Sequence, residues 1–245
     1  MASMIIRFAF IPPRKVLAGL LTLGLGAAAL SAEEHAGIRL APPSGLQFRG
    51  YTPPPAVPGS WTSITPSADL KGWTRIAIPP TNALGRAQWH LDLSRQVLVC
   101  DGDGGHDMLR FDQELTNCTF HVECRFIPMA GPSTNYNSVI FIRNSADGTI
   151  WHQCQLTLDG GYLFGDSSVG EQIKSFKSPA SERRMKPAGE WNSVEVSAQG
   201  RALSVWLNGA VVSRFDACGL PTGYIALEAE GYGIEFRNLK LKNLP

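Results

Sequence analysis

The sequence is short of most features that would declare a function outright. It has no glycine-rich phosphate loop ending in Lys-Ser/Thr, no Gly-x-Ser-x-Gly nucleophile turn and no His-Glu-x-x-His zinc helix, which removes the commonest nucleotide, acyl-transfer and metalloprotease signatures. It lacks a charge excess. The formal net charge is +1, and without Arg7, Arg14 and Lys15 the count is 19 basic against 21 acidic side chains, so there is no electrostatic footprint for nucleic acid. Cysteine is sparse and odd in number: Cys100, Cys118, Cys124, Cys154 and Cys218. None of their spacings suits a zinc pair, and Cys118 and Cys124 share one strand and cannot bond to each other. They read as small buried hydrophobes, with one bridge permitted in an oxidising compartment. Long helical periods are absent beyond the first 30 residues.

The one long apolar run, Val16 to Leu30, follows Arg7, Arg14 and Lys15 and closes on Ala29, Ser31 and Ala32. At 15 residues it is short of a bilayer span, so residues 1–32 are expected to be a cleaved export signal, which places the protein in the periplasm or outside the cell with no membrane span after cleavage. Residues 33–62, with Pro53-Pro54-Pro55 and Pro58-Gly59, read as an extended linker or surface arm. Residues 63–245 carry short apolar segments divided by Gly, Pro, Asn and Asp. Examples are Val97–Cys100, Cys118–Ile127, Val139–Arg143, Ile150–Leu158, Trp191–Ser197, Leu203–Leu207, Val211–Phe215, Tyr224–Glu230 and Ile234–Leu244. Cys118, Phe120, Val122, Cys124 and Phe126 alternate with Thr119, His121, Glu123 and Arg125, and Asn208-Gly209 supplies the positive φ angles of a two-residue hairpin. The expectation is a single all-β domain, an antiparallel β-sandwich.

Tyr224 to Glu230 has the sharpest alternation. Ile225, Leu227 and Ala229 fall on one face, and Tyr224, Ala226, Glu228 and Glu230 on the other. Carboxylates two residues apart stand about 6.5–7 Å apart along a strand. That suits a pair acting on a glycosidic bond, and it equally suits a solvated sheet face. Trp151, Gln153 and Gln155 share one face of their strand, an aromatic ring beside two amides, suited to sugar hydroxyls or to any wet sheet face. His152 lies opposite, with Cys154 and Leu156, and serves either packing or acid–base chemistry. Arg143 is in phase with Val139 and Phe141, so it belongs to a rim or to a site; Glu123 and Arg125 share that ambiguity. Asp101-Gly-Asp103-Gly-Gly105-His-Asp107 looks like a calcium loop but lacks the remaining ligand spacing, so no cofactor is expected, with calcium the one metal worth weighing.

Taken together, Phe120-His-Val-Glu-Cys-Arg125, Asn137-Ser-Val-Ile-Phe-Ile-Arg143, Trp151-His-Gln-Cys-Gln155, Lys186-Pro-Ala-Gly-Glu-Trp-Asn192, Leu207-Asn-Gly209, Gly223 to Gly231 and Phe236-Arg-Asn-Leu239 resemble the 3-keto-disaccharide hydrolase family, over about Leu70 to Leu244. The resemblance implies a concanavalin A-like jelly roll, exported, acting on sugars that carry a 3-keto group. Removal of the acidified C2 proton would let the C1 substituent leave, and water would then add. The chain departs from the family pattern: Gln153 stands where many relatives carry Glu, Glu228 and Glu230 where many carry Gln and His, and Val139 where Gly is common. The resulting expectation is a keto-glycoside hydrolase or lyase. Glu228 or Glu230 would be the base, with His152 in reserve. Arg143, Gln153, Gln155, Trp151, Tyr224 and Glu123 would bind the carbohydrate. The alternatives are a non-catalytic carbohydrate-binding sandwich and an ordinary glycosidase, and the oligomeric state stays open.

Overall fold

A computed structural model describes residues 59–131 and 135–245. The expected signal and most of the arm lie outside the described residues. Every regular element described is a strand, all pairings are antiparallel, and among the described residues no helix is long and apolar enough to cross a membrane.

The strands, in chain order, are β1 (Thr62–Ser63), β2 (Trp73–Ala77), β3 (Trp89–Asp92), β4 (Val97–Cys100), β5 (Asp107–Phe111), β6 (Cys118–Phe126), β7 (Val139–Asn144), β8 (Trp151–Gln155), β9 (Leu163–Val169), β10 (Gln172–Ser178), β11 (Asn192–Gln199), β12 (Ala202–Leu207), β13 (Ala210–Phe215), β14 (Tyr224–Ala229) and β15 (Ile234–Asn243). They form two sheets. One runs β13-β12-β11-β6-β15-β4-β3, with β1 added against β15, and the other runs β10-β9-β8-β7-β14-β5-β2. The end of the expected arm therefore contributes a strand, with Thr62 opposite Leu241.

Alternation explains the layering. Phe120, Val122, Cys124 and Phe126 from β6 meet Ile140, Ile142, Cys154, Ile225, Leu227 and Ala229 from the facing sheet in one buried core. Burying a Leu, Ile or Phe side chain contributes about 1.5–3 kcal/mol, so this interior dominates folding. Asn208 (φ 44°) and Gly209 (φ 103°) make the expected hairpin, with Leu207 opposite Ala210. At one end Phe176 of β10 stacks on Phe215 of β13, ring centroids 3.7 Å apart, and ties the edge strands of the two sheets together. All five cysteines are buried free thiols and no bridge forms. Burial pushes the thiols up, Cys100 to about 12, so they serve as small apolar side chains.

Two of the expected site residues belong to this interior. His152 is fully buried, its ring beside Phe176 and Phe215. Its Nδ1 lies 3.0 Å from the Arg143 carbonyl and its Nε2 2.9 Å from Ser167 Oγ. Since a carbonyl only accepts, Nδ1 carries the proton and Nε2 accepts from the serine. It is a packed, satisfied histidine facing away from solvent, not a reserve acid–base group. Arg143 departs from the phase of Val139 and Phe141 because its backbone turns left-handed (φ 56°) where the β7–β14 register slips. Its guanidinium runs along the sandwich end and donates to the carbonyls of Thr116, Gly200 and Leu220 and to Asn117 Oδ1. All its donors are committed to closing loops.

Burial holds the His152 imidazole down at about 4. The unfolded chain then takes up a proton near pH 6.5 that the folded chain refuses, so stability is intact above that pH and falls towards pH 4, by about 3 kcal/mol. Guanidinium unfolding at intervals from pH 4 to 7 should show a curve flatter by that amount in His152→Gln, even though the variant is the less stable protein at pH 7.

Candidate active-site cleft

A cleft of about 440 Å³ opens on the outer face of the seven-stranded sheet. Its floor is apolar, because Met108, Val139, Phe141 and Ala226 point outward from three adjacent strands and pack together. Glu228 and Glu230 stand at one side of this floor, and Trp151, Gln153, Gln155 and Phe164 at the other. Of the nine expected site residues, five therefore converge. The strand pleat does this directly. With Ile225, Leu227 and Ala229 committed to the core, Glu228 has no other side to occupy.

The remaining two expected ligands lie elsewhere. Glu123 sits on β6, in the other sheet, and accepts from Arg237 Nε at 2.7 Å and Asn238 Nδ2 at 2.6 Å. It belongs to an outer-face network in which Arg125 and Arg237 also cover the Trp191 ring. Tyr224 shares the face of Glu228 but lies beyond the cleft, with the Arg110 guanidinium 4.4 Å over its ring.

His106 is the residue that strand periodicity could not have found, since it sits in the Asp101–Asp107 loop. The carboxylates of that loop already have protein partners. Asp101 and Asp103 pair with Arg86, and Asp107 accepts from Arg75 and, at 2.8 Å, from Trp89 Nε1. The buried amide of Gln88 holds the loop shut, accepting from Gly104 N and donating to Gly105 O, both at 2.9 Å. Gly105, at φ +98°, allows the turn that delivers His106 to the cleft. There its Nε2 lies 2.9 Å from Glu228 Oε1. The signal available in the sequence was a lone histidine in a rigid Gly-rich turn.

The carboxylates differ in surroundings. Glu228 is 4% exposed, and its Oε2 is buried without a hydrogen-bond partner. Glu230 is half-buried and accepts from Asn137 Nδ2, and Asn137 Oδ1 accepts in turn from Gln155 Nε2. Burial, then the neighbouring Glu228 charge, push the Glu230 carboxyl up. The hydrogen bond to Glu228 raises the His106 imidazole above its ordinary value. An interior chain of aromatics lies beside the segments that carry Asn137 and Glu230: Phe126 packs on Tyr136, ring centroids 5.1 Å apart, and Tyr136 on Tyr232 at 5.6 Å. Tyr136 immediately precedes Asn137, and Tyr232 follows Glu230 by two residues. Across the cleft Trp151 and Phe164 meet edge to face at 5.6 Å. The whole presents a base-capable acid pair opposite an aromatic and amide wall.

An acid pair held this close costs stability through like-charge repulsion. In Glu228→Gln the introduced amide donates towards Glu230 in place of the orphaned oxygen. Thermal unfolding in buffer freed of divalent cations should show it more stable by about 1 kcal/mol, a rise of about 2–4 °C. A lowered midpoint would mean that the pair is not strained.

No curated protein matches the chain. Solved structures share its architecture at low identity. A presumed glycosyl hydrolase from Parabacteroides distasonis is 18% identical with a TM-score of 0.54, covering 76% of this chain and 94% of its own. The β-glucanase of Bacillus licheniformis is 11% identical with a TM-score of 0.50, covering 77% and 99%. A prokaryotic β-1,3-1,4-glucanase from a mouse hindgut metagenome is also 11% identical at 0.50, covering 77% and 100%. These likenesses show the jelly-roll sandwich and no more. The family profile reaches further, matching residues 60–242. The chain belongs to the 3-keto-alpha-glucoside-1,2-lyase-like domain family, whose members are carbohydrate-active jelly rolls.

Proposed function

We propose that the cleft binds a keto glycoside and cleaves it by elimination followed by hydration, with Glu230 as the base. The observation that carries this reading is the meeting, in one cleft, of two carboxylates with a wall of Trp151, Gln153 and Gln155. A 3-keto group acidifies the C2 proton of a sugar ring. Glu230 removes that proton, the C2–H electrons form the enolate, and the enolate expels the C1 oxygen substituent, which takes a proton from water in the open cleft. Addition of water across the new C1–C2 double bond returns the free 3-keto sugar. A carboxyl raised by burial and a like charge is a stronger base when ionised, which suits proton removal from carbon. The amides of Gln153 and Asn137 offer donors for the developing enolate oxygen, with Gln155 holding Asn137 in place, and the Trp151 ring offers a face to the sugar. Gln153 cannot itself be the base, because an amide has no accessible proton-accepting state, so the task falls to the acid pair.

Export belongs to this proposal. A basic, then apolar, then small-residue N-terminus supports it, and N-terminal sequencing of the protein secreted by its host should find a start near residues 30–33.

Incubation with a 3-keto disaccharide should release the 3-keto monosaccharide, and in deuterated water the recovered product should carry deuterium at C2. Glu230→Gln should lose about 10²–10⁴-fold in rate while still binding the sugar. Sugar binding with no turnover of any keto glycoside would instead make this a carbohydrate-binding sandwich, a role the Trp151 and amide wall suits by itself. Cleavage of unoxidised oligosaccharides would make it an ordinary glycosidase.

A further inference from the structure

The charges of the cleft do not balance. Glu228 and Glu230 bring two carboxylates, yet no Lys or Arg lines the cleft. Arg75, the nearby guanidinium, is already committed to Asp107. His106 is the only cationic group among the lining residues, and it meets Glu228 through one oxygen, which leaves Oε2 of a 96% buried carboxylate with no partner. A buried carboxylate oxygen left without a hydrogen bond is destabilising even when the other oxygen is paired, so an occupant that satisfies it is favoured. Two occupants could: a proton shared with Glu230, or a cation.

The geometry fits a cation. One nitrogen of His106 and one oxygen each of Glu228 and Glu230 all lie within 4.8 Å of one another. A first-row metal holds such donors about 2.0–2.2 Å from itself, which puts them about 3–4 Å apart around it. Small rotations close the difference, and His106, 38% exposed at a loop end, is free of tight packing. Three protein donors leave coordination positions open towards the cleft, the arrangement of a working site and not of a structural one. An imidazole with two carboxylates suits Zn²⁺ or Mn²⁺ better than Ca²⁺, which takes six to eight oxygens.

We infer that His106, Glu228 and Glu230 bind one divalent first-row cation, whose open positions face the sugar in the cleft. The site stands independently of the cleavage reading, since an ion here would serve a binding module equally. In the proposed elimination such an ion, held by His106, Glu228 and Glu230, would supply Lewis-acid stabilisation of the enolate charge.

The test uses the full mature chain, stripped with a chelator and titrated with Mn²⁺ followed by electron paramagnetic resonance, then with Zn²⁺ in competition. One equivalent per chain is expected, with the unfolding midpoint raised by about 5–10 °C at 100-fold excess over Kd. His106→Gln and Glu230→Gln should each weaken binding by about 100-fold or more, with circular dichroism spectra unchanged. No binding below millimolar concentration, or stoichiometric binding that both variants retain, overturns the site. Cation binding without release of keto sugar overturns the cleavage reading alone. Keto-sugar release undiminished in chelator, with no bound cation, overturns the ion alone.

Discussion

The pleat of β14 carries the molecule. Ile225, Leu227 and Ala229 pack inward against β6 while Ala226 and Glu228 face the cleft, so one strand supplies both interior and site. A slip of one residue would drive Glu228 into a core of Phe, Leu and Val and strand Leu227 on the cleft floor. Core burial thus fixes the register, and register fixes the chemistry. β7 and β5 on either side lock β14 laterally, with Leu227 opposite Ile140 and Leu109.

The acid pair sits where the fold is least comfortable. An orphaned oxygen on a buried carboxylate, beside a second carboxylate with a raised pKa, is a local cost that the surrounding sandwich is stable enough to hold. Elsewhere the polar interior has groups that are fully satisfied. Arg143 makes five hydrogen bonds to backbone and Asn117 acceptors, and Gln88 closes its loop at both ends of one amide. Arg110 Nε is also buried without a partner, but Glu228 Oε2 is the orphaned atom that belongs to a residue lining the cleft.

Most of the sandwich was legible because half-buried strands announce themselves by alternation. Short strands such as β3 and β5 and the exposed β10 were harder to see, because their apolar positions are too few or their faces too wet to show a period. The same logic divides the site. Trp151, Gln153, Gln155, Glu228 and Glu230 could be read since each keeps phase with its strand. Arg143 misled because a single left-handed residue breaks phase without any trace in side-chain type. Tyr224 and Glu123 kept phase, but period two says nothing about where along a sheet a cleft opens, nor which sheet bears it. His106 reaches the site from a loop, where no period exists.

The Phe126–Tyr136–Tyr232 aromatic chain has a bearing on how this cleft could change over evolutionary time. It joins a core side chain of one sheet to the two backbone segments that carry Asn137 and Glu230. The placement of Asn137 against Glu230 is therefore tied to the volume of the interior, while the spacing of Glu228 and Glu230 is set by the backbone of β14 and the residue just after it. A lineage that moved Asn137 relative to Glu230 would need a compensating change in ring size between the sheets. The polar edge of the cleft, in this sandwich, is tethered to packing.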